Sequence, residues 1–309
     1  MDWEKYWEEL ITKHRLSAMI KQLDDADEAM GVGAGHIKET CRGVYENFTH
    51  KDYLEVKSRF LQLIDSIPNV HSVGSRVKTV DSLLVKIITK RAEKYTTKSP
   101  YVKLSKDDYG DIITDLVGIR LVLHYQGQWK SIHEQILKLF PEDDCREGVL
   151  LPHIEGKTFL AEPPIAYHAK DDDVSQYEGI IKTKLHEKGY RSNHYIISFE
   201  NVYIELQVRT IYDEAWSDYD HTYVYKKEAN PNNDALKLAS PILCGLTNAA
   251  SDMGELMREI YEELFKIDDS GKFILDNTTQ QKIEMIKKRL QQSTEEFEQF
   301  CEDHISNQM

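Results

Sequence analysis

Cysteine is scarce. The four present, Cys41, Cys145, Cys244 and Cys301, lie far apart and none forms a CxxC pair. That spacing argues against a metal or disulfide framework and points to reduced, mostly buried thiols in a cytoplasmic protein. Nowhere do about 18 or more apolar residues run together, so no membrane span is expected. The opening residues, MDWEKYWEEL, are acidic and lack the basic-then-apolar layout of a secretion signal. Net positive charge is missing too: the formal value is −14, which argues against nonspecific binding to nucleic acid or anionic lipid. Gly31, Gly33 and Gly35 are followed by no GK[ST] and preceded by no strand pattern, so they read as a flexible connection and not as a phosphate loop.

Within these limits the chain has an ordinary globular composition, with 40% hydrophobic residues. Its most informative stretch runs from Lys184 to Lys226. A glycine turn at Gly189 presents Tyr190, Arg191 and His194. A short strand follows, bends near Glu200 and Asn201, and gives way to a strictly alternating strand. Tyr203, Glu205, Gln207 and Arg209 share one face; Ile204, Leu206 and Val208 share the other. A carboxylate, an amide and a guanidinium in a row read as the floor of a site. Charge is also uneven. From Arg76 to Lys103 there are eight Lys or Arg against two acids, and from Asp252 onward seven against fourteen. A basic island in an acidic chain reads either as a pocket for a highly phosphorylated small molecule or as a solvated helix face.

Taken in order, residues 1–66 show helical periodicity in two segments separated by the glycines. A short strand from Val70 to Val77 carries Arg76, with Lys78 just beyond. A helix opens at Asp81-Ser82, and Ser82, Lys86 and Lys90 line one polar stripe of it. A strand end meeting a helix start favours an anion, and these side chains add donors. A capping serine and exposed lysines are the plainer account. Asp107 to Ile113 reads as a short helix, and Asp115 to Tyr125 as a buried strand with Arg120 off its apolar face. Asp115 suits a metal ligand and Arg120 a nucleotide contact; a structural Asp115–Arg120 ion pair competes. Trp129 to Leu139 reads as an amphipathic helix. Residues 141–180 show little periodicity, hold the acidic run Asp171-Asp172-Asp173, and are expected near an acceptor entrance, with His153 and His168 on the surface. A turn at Asn230 to Asp234 leads into helices broken near Asp268 to Gly271; the last, Thr279 to Cys301, either caps the domain or dimerises.

Gly74-Ser75-Arg76-Val77-Lys78 with Ser82 and Lys86, Asp115 with Gly118 and Arg120, Gly189-Tyr190-Arg191-Ser192 with His194, Glu205-Leu206-Gln207-Val208-Arg209-Thr210, and Trp216, His221 and Tyr225-Lys226 together resemble the synthetase domain of RelA/SpoT homologues. Each motif alone is weak; five in order are specific, and the small alarmone synthetases look closest. The resemblance implies an α+β, nucleotidyltransferase-like fold. A mixed sheet of about five strands would be flanked by helices, over residues 67–227, with helical regions at 1–66 and 228–309. It implies transfer of pyrophosphate from ATP to the 3′-hydroxyl of GDP or GTP. Arg76 and Arg120 would sandwich the adenine, and Lys78, Ser82 and Lys86 would hold the ATP phosphates. Asp115 and Glu205 would share Mg²⁺, with Glu205 able to deprotonate the hydroxyl. Tyr190 would stack on the guanine, His194 would contact phosphates or orient the acceptor, and Gln207 and Arg209 would shape the floor. Lys184 and Lys188 compete for the acceptor phosphates.

Two departures stand out. Asn193 occupies a place usually apolar or aromatic in the family, which bears on the acceptor side, and Glu187 interrupts the lysines before the glycine turn. No His-Asp dipeptide occurs, so the hydrolase of the long family members is not expected. A pyrophosphotransferase acting on tRNA 3′ ends or adenosine nucleotides and a non-enzymatic nucleotide binder remain as alternatives. The expected partners are ATP and GDP or GTP, with neither membrane nor nucleic acid, and with a homo-oligomer through the terminal helices left open.

Overall fold

The computed structural model describes residues 2–93, 95–96, 99–142, 145–170, 172–224, 234–263 and 277–304. The expected turn at Asn230 to Asp234 falls largely, and the break near Asp268 to Gly271 wholly, outside these residues, as do Tyr225 and Lys226. The N-terminal region forms four helices where the periodicity suggested two: α1 (Trp3–His14), α2 (Ser17–Ala29), α3 (His36–His50) and α4 (Tyr53–Ile64). Extra breaks arise at Arg15, a C-cap in the left-handed region, and at Lys51-Asp52, where Asp52 accepts from the Glu55 N–H and starts α4.

Strand β1 (Ser72–Val77) follows, then α5 (Val80–Glu93), two short helices α6 (Pro100–Lys103) and α7 (Tyr109–Ile112), β2 (Val117–Leu123) and α8 (Trp129–Leu139). The cap of α5 is Thr79, whose hydroxyl accepts from the Ser82 N–H at 3.2 Å. The segment 141–180, thought featureless, contributes two strands, β3 (Phe159–Leu160) and β4 (Ile165–His168). They are too short for periodicity to reveal. Then come β5 (Lys182–Leu185), β6 (Ser192–Phe199), β7 (Val202–Thr210), α9 (Ile211–Tyr219), α10 (Asp234–Glu263) and α11 (Asn277–His304). No described helix is long and apolar enough to cross a membrane.

The fold is α+β, as expected: a mixed sheet between helices, with helical additions at both ends. Among the described residues it has seven strands, not about five, in the order β1-β2-β7-β6-β4-β5, with β3 paired to β6. β2 and β7 run parallel, β1–β2 and β6–β7 antiparallel. The β6–β7 hairpin turns through Glu200 and Asn201, both at positive φ (50° and 59°), as a two-residue turn of matching twist requires. Arg59 of α4 pins that turn by pairing with Glu200.

Alternation divides the sheet into two faces. Ile119 and Leu121 of β2, Ile204 and Leu206 of β7 and Ile197 of β6 point to a dry face and are fully buried. They join Phe60 of α4, Leu83, Leu84, Ile87 and Ile88 of α5, and Ile132 and Ile136 of α8 in one apolar core. The N-terminal helices extend that core and are fastened to α5. Arg91 Nη2 lies 2.9 Å from Asp27 Oδ1 with both side chains at most 1% exposed, and Tyr95 also donates to Asp27. Removing one partner of such a pair strands a charge in a dry site. Asp27→Ala is expected to lower stability by about 3–5 kcal/mol, measured by denaturant unfolding.

Candidate active site

The second face is polar, and strand register decides which residues meet there. Arg76, Gly118 and Glu205 lie side by side across β1, β2 and β7; one step along, so do Gly74, Arg120, Gln207 and His194. The two glycines make room. A Cβ on Gly118 would sit 3.4 Å from Arg76 Nε, and one on Gly74 would sit 3.6 Å from Arg120 Cβ. Both are ordinary contact distances, so the Arg76 side chain runs over Gly118 and the stem of Arg120 over Gly74.

Asp115 stands in the turn just before β2, not on the strand. Lys78, just after β1, places Nζ 2.9 Å from its Oδ2, and Lys86, nearly two turns into α5, places Nζ 2.9 Å from its Oδ1. The expected competitor, an Asp115–Arg120 pair, is not formed; Arg120 turns to Glu214 and Asp218 of α9 at 2.8 and 3.1 Å. Burial pushes the Asp115 carboxyl up, but the two ammonium groups outweigh it and hold it below its usual value. Burial likewise pushes Lys78 down, and the Asp115 charge only partly restores it.

Glu205 is neighbour to this cluster. Its Oε1 lies 3.5 Å from His194 Nδ1, and Gln207 Nε2 donates to its Oε2 at 2.9 Å. Burial raises its pKa and so does the charge of Asp115, whereas His194 and Lys86 lower it; the balance falls below the usual glutamate value. Both acids are thus ionised at neutral pH and close enough to feel each other. Asp115 Oδ1 is buried, and the Lys86 ammonium 2.9 Å away is its ion-pair partner. Among the described residues no three His, Cys, Asp or Glu side chains gather to hold a metal by themselves. Two hard carboxylates with lysines around them fit a cation that completes its shell with phosphate oxygens, as Mg²⁺ usually does.

The contacts continue past His194. Its Nε2 and the Tyr190 hydroxyl are 2.9 Å apart, and Arg209 lies over the Tyr190 ring with Cζ 5.8 Å from the centroid. Arg209 is held by Ser217 at 2.8 Å and by Glu214 Oε2 at 2.6 Å. Tyr167 of β4 packs edge-on against His194 at 4.7 Å and carries Lys184 over its ring at 5.6 Å. Lys184 and Lys188 are exposed, as are Arg76 and Ser82, whose hydroxyl accepts from Thr79 at 2.9 Å.

Asp115, Lys78, Lys86 and Glu205 thus form one cluster, with His194, Tyr190, Gln207, Arg209 and Arg120 continuous with it. Sequence reasoning missed Glu214, Asp218 and Tyr167. The two acids look like ordinary residues of a solvated helix, and Tyr167 sits on a strand too short to detect. Asn193 is buried, and its register position faces away from His194, so the departure there does not touch the polar face. Asp172, one of the acidic run 171–173, is buried in an ion cluster. His153 is only partly exposed, bonding Ser198 at 2.7 Å and stacking on Tyr203. A cavity of about 570 Å³ lies elsewhere, bounded by α10, α11 and the segments at Gln126 and Asp172 to Gln176, and paired charges including Arg191, Asp252 and Arg289 line it; the reactive groupings are on the sheet.

Residues 75–230, half of the chain, match the family model described as the region found in RelA/SpoT proteins. The chain belongs to that family. Comparison with curated proteins finds no match. Among solved structures it is similar to a GTP pyrophosphokinase family protein from Streptococcus pneumoniae, at 17% identity over 68% of this chain and 87% of that one, TM-score 0.42. It is also similar to small alarmone synthetase 1 from Bacillus subtilis (17% identity, 68% and 92% covered, TM-score 0.43) and to small alarmone synthetase 2 from the same organism (22%, 71% and 95%, TM-score 0.40).

The depressed Asp115 pKa has a consequence for stability. A carboxyl lowered in the folded state stabilises it fully above the unfolded value, and this is lost as pH falls through the folded one. Asp115→Asn is therefore expected to melt below the wild type at neutral pH. The gap in thermal midpoint should close on acidification below about pH 4, near the ordinary carboxylate range.

Proposed function

We propose that the chain transfers the β,γ-pyrophosphate of ATP to the 3′-hydroxyl of GDP or GTP, making the alarmones ppGpp and pppGpp. The observation that carries this reading is the junction of a lysine cradle, Lys78 and Lys86, with two ionised carboxylates, Asp115 and Glu205, on the polar face of a RelA/SpoT-family sheet. Pyrophosphoryl transfer needs little covalent work from the protein. It needs cations around the phosphates and a positioned hydroxyl.

Roles follow from position. Lys78 and Lys86, which neutralise Asp115 in the free protein, are placed to turn to the donor phosphates, with Ser82 at the same helix start. Arg76 and Arg120, whose side chains run over Gly118 and Gly74, offer guanidinium planes to the adenine. Tyr190, with His194 at its hydroxyl, offers a ring to the guanine. Lys184 and Lys188 lie at the exposed edge, within reach of acceptor phosphates. Asp115 and Glu205 would hold Mg²⁺, which supplies charge neutralisation between donor and acceptor. Glu205, ionised and paired with His194, accepts the proton of the 3′-hydroxyl. A carboxylate held below its usual value is a weak base, so it takes the proton late, as the hydroxyl oxygen bonds to phosphorus.

Incubating the protein with ATP and each of GDP, GTP, AMP and uncharged tRNA, and separating products by chromatography, tests the assignment. A 3′-pyrophosphorylated guanine nucleotide is expected; label appearing only on AMP or tRNA, or no transfer at all, overturns it. Glu205→Gln is expected to lower kcat by about 10²-fold or more with little change in the ATP KM. Tyr190→Ala removes a stacking partner worth about 1–3 kcal/mol, a rise of roughly 5- to 150-fold in acceptor KM.

A further inference from the structure

Four charged side chains beyond the polar face close into a ring. Arg191 sets Nη2 2.5 Å from Asp172 Oδ1 and Nη1 3.1 Å from Asp252 Oδ1. Arg289 completes the circuit: its Nη2 is 2.6 Å from the same Asp172 oxygen, and its Nη1 pairs with Asp252 Oδ2. The side chains are nearly dry, at 5% exposure for Arg191, 4% for Asp172, 9% for Asp252 and 14% for Arg289. Each arginine forks across both acids, so removing either leaves two buried carboxylates facing each other with one counter-charge. Such a ring holds together or opens as a unit.

Its position gives it meaning. Arg191 follows Tyr190 directly. Asp252 is on α10 and Arg289 on α11, both beyond residue 230 and so outside the region that matches the family. Helix α10 grips the same turn twice more. Asn248 Nδ2 donates to the Gly189 carbonyl at 3.4 Å. Cys244 packs so closely that a Cβ on Gly189 would lie 2.8 Å from its Sγ, at a φ of +81° that already favours glycine. The turn presenting Tyr190 to the polar face is thus held from behind by the C-terminal helix pair.

We propose that Asp252 and Arg289 are positioning residues of the acceptor site: through the ring at Arg191, the α10–α11 pair holds Tyr190 where it meets the acceptor base. This rests on the reading of Tyr190 as that base's stacking partner. The donor phosphate cradle, built from β1, α5 and the turn before β2, has no part in the ring, so opening the ring separates the two substrates kinetically.

The test compares Arg289→Gln with Lys282→Gln in the full chain. The latter removes an α11–α10 ion pair, Lys282–Glu259, without touching the ring. Steady-state kinetics with ATP and GDP are joined to amide hydrogen exchange of residues 186–192 without nucleotide. If the open ring leaves the turn in its competent position about one-tenth of the time, Arg289→Gln raises the GDP KM about tenfold, with the ATP KM within about twofold of wild type. Exchange across 186–192 quickens, and Lys282→Gln matches wild type in both measurements. An unchanged GDP KM, an equal rise in both KM values, or the same effect from Lys282→Gln overturns the proposal. Should wild type make no product with GDP, the functional reading fails, and exchange alone decides the ring: a rate at 186–192 unchanged by Arg289→Gln overturns it. If Arg289→Gln does not fold, Arg289→Lys, which reaches one carboxylate at a time, is measured instead. It is expected to show the same split in smaller measure, and wild-type GDP KM and exchange in it overturn the proposal.

Discussion

The parallel pairing of β2 with β7 is the constraint on which the candidate site depends. It sets Gly118 opposite Glu205 and so brings the turn holding Asp115 beside a carboxylate ninety residues further along the chain. Side chains alternate along both strands, so a slip of one residue would put Glu205, Gln207 and Arg209 into the core and Leu206 and Val208 into water. The apolar face prevents that slip. Ile119, Leu121, Ile204 and Leu206 are fully buried against α4, α5 and α8, and their burial locks the register that aligns the polar face. Packing on one side of the sheet thus determines chemistry on the other.

The polar face carries charges that are costly to desolvate, and each is compensated within the fold. Asp115 has two lysines, Glu205 has His194 and Gln207, and Arg209 has Ser217 and Glu214. Glu214 occupies a particular place among them. One of its oxygens meets Arg120 and the other Arg209, so a single carboxylate from α9 spaces two guanidiniums on neighbouring strands. Repulsion between those arginines would otherwise splay the face. Helix α9 is fixed in turn by Thr210, whose hydroxyl and the Asp213 carboxylate cap each other reciprocally. The β2 and β7 parts of the polar face are joined through these bonds.

Much of this was legible in the sequence, for identifiable reasons. β7 announces itself because alternation persists over nine residues, and α8 because Trp129, Ile132 and Ile136 recur at helical spacing. The cluster of Lys78, Lys86, Asp115 and Glu205 was visible as residue types in family order. What the sequence hid depends on partners far away along the chain. β4 and β5 are four residues each, and their pairing is decided by the edge of β6 and not by their own pattern. Glu214 and Asp218 look like the acids that commonly open or decorate an exposed helix; only Arg120, nearly a hundred residues earlier, distinguishes them. Asp172 sits in an acidic run that reads as surface until Arg191 and Arg289 are placed around it.

The two helical additions serve the sheet from opposite sides and in different ways. The N-terminal helices add to the dry face. Their apolar residues continue the main core, the buried Asp27–Arg91 pair ties α2 to α5, and Tyr6 and Lys13 of α1 reach Asp81 near the start of α5 at 2.7 and 2.6 Å. They reach the lysine cluster through α5, which carries Lys86, and through α4, which packs beside β1. The C-terminal pair instead meets the wet side. Trp216 of α9 donates to the Ser240 carbonyl of α10 at 3.1 Å, Thr210 and Ser251 hydroxyls lie 3.3 Å apart, and Asn248 holds the turn before Tyr190. These bonds are polar and directed, and they are added to apolar packing by Ile242, Cys244, Ala249 and Leu256 of α10, all buried. Apolar packing sets where a helix lies but tolerates small shifts; a directed bond to a particular backbone or hydroxyl atom does not. On the polar face, where Tyr190, Arg120 and Arg209 are held at fixed spacing, the fold therefore adds directional bonds to its apolar packing.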